Sequence, residues 1–143
     1  MDTENLSLPD YYINRELSLL EFNKRVLAQA LDTSTPLLER LRFLCISCTN
    51  LDEFFEIRAA GLKQREELGS APPGPDRMTP REILVAIRQE AGELVEQQYR
   101  LLNEDLIPAL AEYGGHFISR DQWSDEQREW LHDYFHDPVL PVL

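Results

Sequence analysis

Between Leu37 and Leu62 the apolar residues fall at Leu37, Leu41, Leu44, Cys48, Leu51, Phe55, Ala59 and Leu62. These steps of four and three keep one face of a helix apolar. Thr35 and Pro36 read as N-cap and first helical position, because a proline there lacks only a donor that would be orphaned anyway. The pattern predicts an unbroken helix to about Gly69, the question of a bend near Thr49 staying open. Upstream, Ser18 and Glu21 form an S-x-x-E signature, and Leu20, Leu27 and Leu31 follow on one face, predicting a first helix over 19–31. Residues 1–13, with Pro9, Tyr11, Tyr12 and Ile13, read as an extended lead-in that packs on the helices.

"GSAPPGPDRM" is a loop by composition, and Thr79, Pro80 and Glu82 then repeat a cap signature. Ile83, Ile87, Ala91, Leu94 and Leu101 line one side of a third helix, with Glu90, Glu93, Glu96 and Arg100 on the other. Pro108 is placed to kink it, and Gly114 and Gly115 to stop it. Beyond lie "HFIS", read as a short strand, a helix of about twelve residues capped by Ser124 and Gln127, and an extended "DPVLPVL" whose apolar end reads as truncated. The expectation is an all-α fold: a helical bundle of three main helices with a long second helix over 1–114, then a short strand and helix segment over 115–143 that begins a second domain.

The chain has 143 residues, 43% of them hydrophobic and 28% charged, enough for one ordinary core. Its net charge of -12, from 26 acids against 14 Lys and Arg, argues against binding nucleic acid or an anionic membrane by electrostatics alone. A nucleotide would instead be met at its base, with its phosphates held by charges that this chain does not supply. No run of 18 apolar residues and no secretory signal is present, so no transmembrane segment is expected and the default compartment is the cytoplasm. Cys45 and Cys48 have C-x-x-C spacing, but lack the strand before them that a redox pair uses and the second ligand pair that a zinc site needs. They read as small core residues.

The second helix also carries another stripe, Phe43, Ser47, Asn50, Phe54, Ile57 and Gly61, about a third of a turn from the first. An asparagine ranks poorly inside helices, so Asn50 among aromatic and small side chains needs a partner. Two partners fit. The amide can tie this helix to a neighbour's backbone, or its coplanar donors and acceptor can pair with the amino edge of adenine while Phe rings and Gly61 supply an apolar slot. Asn23, in the middle of the first helix's apolar face, is a second such amide, read mainly as a tie.

Asp52, Glu53 and Glu56 point in separate directions on a helix and read as a solvated or salt-bridged face. Arg58 is expected to reach a carboxylate of another helix in preference to a phosphate. Glu129 and His132 have Glu-x-x-His spacing, and His132 and His136 lie one turn apart, yet di-metal helical sites need a second such motif. These histidines read as surface residues. No glycine-rich phosphate loop and no nucleophile elbow occurs.

"YINRELSLLEFNKRVLAQALDTSTPLLERLRFLCISCTNLDEFFEIRAAGLK", residues 12–63, closely resembles the N-terminal domain of bacterial polyphosphate kinase, the type that works through a phosphohistidine. Residues 79–143 resemble it more loosely, and "PVLPVL" is similar to the entry into that family's head domain. The resemblance implies an enzyme that reversibly transfers the terminal phosphoryl group of ATP to inorganic polyphosphate, with the helical N-terminal domain forming one wall of the ATP pocket. It also implies that Asn50 contacts the nucleotide on its adenine side, with Phe43, Phe54 and Gly61 as pocket neighbours.

The phosphorylated histidine, the Mg2+ ligands and the basic tunnel belong to later domains in that family. The resemblance therefore assigns no catalytic and no metal-binding residue here, none of His116, His132 and His136 takes that role, and the fragment alone is not expected to be catalytic. Implied partners are ATP and polyphosphate through the rest of the enzyme, the remaining domains of the same chain and, at full length, further copies of it, with membrane association at full length left open. Leu19 stands where the family commonly has Trp, and Glu56 where an apolar or basic residue is usual. The alternative reading is a non-catalytic helical module for protein interaction or dimerisation, docking through its leucine seams.

Overall fold

The computed structural model describes residues 8–69 and 73–143; most of the lead-in and part of the proline loop lie outside them. The described residues are all-α, and they separate into two compact units, Met1–Ala109 and Leu110–Leu143.

In the first unit α1 spans Arg15–Leu31 and starts one turn earlier than expected. Its cap is Asn14, whose side chain accepts from the backbone N–H groups of Glu16 and Leu17 at 3.0 and 3.2 Å. Ser18 therefore lies inside the helix, and Glu21 pairs with Lys24 instead of closing a capping box. The buried positions are Leu20, Asn23, Leu27 and Ala30, so Leu31, expected inside, faces outward. The second helix begins as α2, Leu37–Glu53, with Pro36 at the cap position and no side-chain cap bond. Thr35 belongs to the turn before the helix, where its backbone N–H donates to Asp32 O at 3.1 Å.

The second helix is continuous but changes pitch. Phe54–Ala59 form a π-helical turn, in which the N–H of Ala60 reaches the carbonyl of Phe55 five residues back, and α3 then runs over Ala60–Leu68. Its buried positions are Arg40, Leu44, Ser47, Leu51, Phe54, Ala59 and Leu62. The step from Phe54 to Ala59 is five residues, which an α-helix cannot place on one face and a π turn can. Phe54 thus takes the core position expected of Phe55, which is exposed. Gly69 ends the helix at φ 62, a left-handed conformation that a Cβ would oppose.

The third long helix repeats the device. Thr79 and Glu82 close a full capping box on α4, Pro80–Arg100, and a π turn over Leu101–Leu106 leads into α5, Ile107–Glu112. Buried Leu101 and Leu106 again stand five apart. Pro108 has no N–H for the carbonyl of Glu104, the partner an α-helix would give it. The wide turn ends just before that residue.

Leu20, Leu27, Leu62, Leu94 and Leu106 are almost wholly buried, each worth roughly 1.5–3 kcal/mol. Polar ties fix the helices' register. The guanidinium of Arg40, inside the core, donates from Nε to Ala30 O at 2.8 Å and pairs with Asp105 at 2.5 Å. Asn14 Nδ2 donates to Asp76 at 2.6 Å, holding the loop against the start of α1.

In the second unit Ser124 and Gln127 form a capping box, as the spacing predicts, on α6, Asp125–Tyr134. "HFIS" pairs with no strand among the described residues, because a single extended segment has no ladder to join. The end is not extended either: Phe135–Val139 form a π turn and Leu140–Val142 a 3-10 turn. Gly114, at φ 83, and Gly115, whose N–H donates to Leu110 O at 2.9 Å, end α5 as the glycine pair predicts.

Candidate functional site

Where α1 meets the second helix, beside the π turn, a cleft of about 250 Å3 opens to solvent. Asn50 stands in it half-buried, with Phe54 and Ile57 on the same helix and Leu19, Phe22 and Asn23 contributed by α1. Such a volume lies below that of a complete small-molecule pocket, roughly 300–1,000 Å3, and suits one wall of a larger one.

The polar groups form a chain that starts in the core. Gln98 of α4 donates from Nε2 to Ser47 Oγ at 2.9 Å, and Asn23 donates from Nδ2 to the backbone carbonyl of Ser47, also at 2.9 Å. Asn50 in turn donates from Nδ2 to Asn23 Oδ1 at 3.3 Å. Asn23 is thus the helix tie that its position suggests, joining α1 to α2. Asn50 is tied through one amide hydrogen only. Its carbonyl and its second hydrogen have no protein partner among the described residues, and the residue lines the cleft.

Of the four residues singled out from sequence, Asn50 and Phe54 share this cleft, whereas Phe43 and Gly61 are outside its lining. Phe43 lies two helical turns before Asn50 and packs against the core. Gly61 follows the π turn, whose extra residue rotates all later positions by about 100° relative to a plain α-helix. A Cβ at Gly61 would meet nothing within 4 Å, so no close approach requires glycine there.

Phe22 also lines the cleft, a place that helix periodicity alone does not mark. It is half-exposed on the rim, with the Arg25 guanidinium 5.8 Å from its ring centroid. The signal available in the sequence was its place beside Asn23, three residues after Leu19. Leu19, where the resemblance departs from Trp, also lines the cleft.

Arg58 makes no ion pair among the described residues, contrary to the carboxylate partner expected for it. The wide turn places it where it lines both the cleft and a second, polar groove near Asn14 and Asp76. Asp52, Glu53 and Glu56 are exposed. No group of three His, Cys, Asp or Glu among the described residues is arranged to hold a metal ion. His132 and His136 stack on each other at 4.2 Å on an exposed face of the second unit. Cys45 is exposed, not a core residue, because it falls off the buried stripe; Cys48 is half-buried and burial pushes its thiol above its ordinary pKa.

Residues 12–118 match the family model described as the polyphosphate kinase N-terminal domain. The chain belongs to that family. Among relatives, the polyphosphate kinase of Xylella fastidiosa is 55% identical over 135 residues, which cover 94% of this chain and 19% of that protein. The polyphosphate kinase of Burkholderia cenocepacia is 49% identical over 131 residues, 92% of this chain and 19% of that protein. The crystal structure of polyphosphate kinase from Porphyromonas gingivalis superposes with a TM-score of 0.73 at 28% identity, covering 91% of this chain and 18% of that one. This polyphosphate kinase N-terminal domain therefore spans about a fifth of the length of the curated relatives it matches. Among the described residues no helix is long and apolar enough to cross a membrane.

Proposed function

We propose that this chain is the adenine-side wall of the ATP pocket in a polyphosphate kinase, which reversibly transfers the terminal phosphoryl group of ATP to inorganic polyphosphate. The observation that carries this reading is Asn50: an amide held at one hydrogen by Asn23, with its carbonyl and second hydrogen left beside an apolar cleft. Adenine offers a matching amino donor and ring-nitrogen acceptor. Phe54, Ile57, Leu19 and Phe22 supply apolar surface for its rings.

In this reading the wall binds and orients the base, and the transfer itself uses groups outside this chain. Among the described residues the carboxylates do not gather into a set that fits Mg2+. A net charge of -12 accords with that division, since a base can rest on an acidic wall while cations elsewhere hold the phosphates. Residues 1–114 are the wall domain and 115–143 the opening of the next. The exposed Trp130, Tyr134, Phe135 and Leu143 of the second unit suit a segment that packs on the remaining domains.

The test is Asn50→Ala in the full-length enzyme. Loss of a neutral hydrogen bond is worth about 0.5–1.5 kcal/mol, so the KM for ATP should rise by up to roughly tenfold. An unchanged KM in a folded variant removes the reading.

A further inference from the structure

The direction in which Asn50 points its amide is set from inside the bundle. A backbone carbonyl can only accept, so the Asn23 group that meets the Ser47 carbonyl at 2.9 Å must be its NH2. That fixes the rest of Asn23: its Oδ1 faces Asn50 and can only accept there. Asn50 must then answer with its own NH2, at 3.3 Å, which leaves the carbonyl oxygen of this cleft-lining residue without a protein partner among the described residues. Asn23 is 3% exposed and sits on the third turn of α1, so it has little freedom to turn over.

We propose that Asn23 is the residue that sets purine specificity, holding Asn50 in the one amide orientation that accepts adenine and refuses guanine. This rests on the reading of Asn50 as the base contact. At ring position 6 adenine carries an amino donor and guanine a carbonyl acceptor. A carbonyl held toward that position pairs with the first and repels the second, whereas an amide free to flip would serve either. The 3.3 Å contact is long enough to tighten when a base is bound. Asn23 acts through Asn50, as a positioning residue.

The experiment compares kcat/KM for ATP and GTP in the full-length enzyme. Asn23→Ser is too short to hold Asn50; the ATP-to-GTP ratio should fall by roughly three- to tenfold, the worth of one neutral hydrogen bond. Asn23→Asp, held neutral by burial with its proton on the oxygen that meets the Ser47 carbonyl, keeps an acceptor toward Asn50 and should retain the ratio. Should serine leave a void that unfolds the bundle, Asn23→Leu, closer in size, releases the same lock. Asn50→Ala, run beside them, separates the two ideas. If it raises the KM for ATP while the serine and leucine variants keep the parent ratio, the role of Asn23 is overturned and the base contact stands. Equal loss of discrimination in Asn23→Asp and Asn23→Ser would also overturn it. No effect of Asn50→Ala removes both.

Discussion

At the scale of single residues, the first unit is tied by polar groups that reach between helices. Lys24 Nζ lies 2.7 Å from Glu21 on its own helix and pairs also with Glu90 of α4. Hydrogen bonds to Glu21 and then Glu90 raise its pKa above the ordinary 10.5, with burial working the other way. A raised folded-state pKa stabilises the fold fully below 10.5, and that stability is lost as pH climbs through the folded value. Lys24→Met should therefore lower stability near neutrality by up to about 1 kcal/mol, the pair being partly solvated. Urea midpoints measured from pH 9 upward should fall less steeply in the variant than in the parent. Parallel curves would refute the assignment. Single residues also show where reading the chain stopped short: Asn23 and Asn50 stand out in sequence as polar groups on apolar faces, but which one binds the other was not legible. That choice is made by Ser47, a small residue with no signal of its own until its carbonyl is seen facing α1.

At the scale of elements, the decisive feature is the change of pitch in the second helix. An apolar repeat read at α-helical spacing passes smoothly through Phe55, yet two adjacent phenylalanines allow either to be the inner one. The π turn selects Phe54, and Phe55 packs edge-on against it from outside, ring centroids 5.7 Å apart. Deleting the exposed Glu56 would shorten the step from Phe54 to Ala59 to four residues and restore α-helical pitch while keeping both inside. Stability should stay within roughly 1 kcal/mol of the parent. In the full-length enzyme the KM for ATP should rise, because Ile57 and Arg58 lose the wide turn that places them at the cleft. Unchanged nucleotide kinetics in the deletion variant would show that the π turn is packing alone. Caps were more legible than pitch: Thr79 with Glu82 and Ser124 with Gln127 form as their spacing predicts, since capping is a bond within one turn.

At the scale of the whole chain, the two units differ in how much they bury. Every core side chain lies in Met1–Ala109, and none of the described residues of Leu110–Leu143 is fully buried. Hydrogen exchange of this 143-residue chain should accordingly show slow amides in α1, α2 and α4, and in 112–143 protection at least about tenfold lower, the behaviour of local opening with few apolar contacts. Comparable protection in both parts would contradict that picture. It also explains why the second unit's reading from sequence was uneven. Its helix is capped locally and forms, whereas a strand depends on a partner strand, and none is present among the described residues.

By itself the sequence determined the all-α class, the helical segments, two of the caps and the presence of an amide out of place on the second helix. Each of these rests on contacts within a turn or on a periodicity of one segment, and so is written in consecutive residues. Only the tertiary structure decided which phenylalanine faces inward, where the cleft opens, and that Phe22 and Leu19 of α1 share it with Asn50. Those depend on two helices meeting at a particular rotation, which the five-residue steps at Phe54 and Leu101 set and α-helical periodicity along the chain does not record.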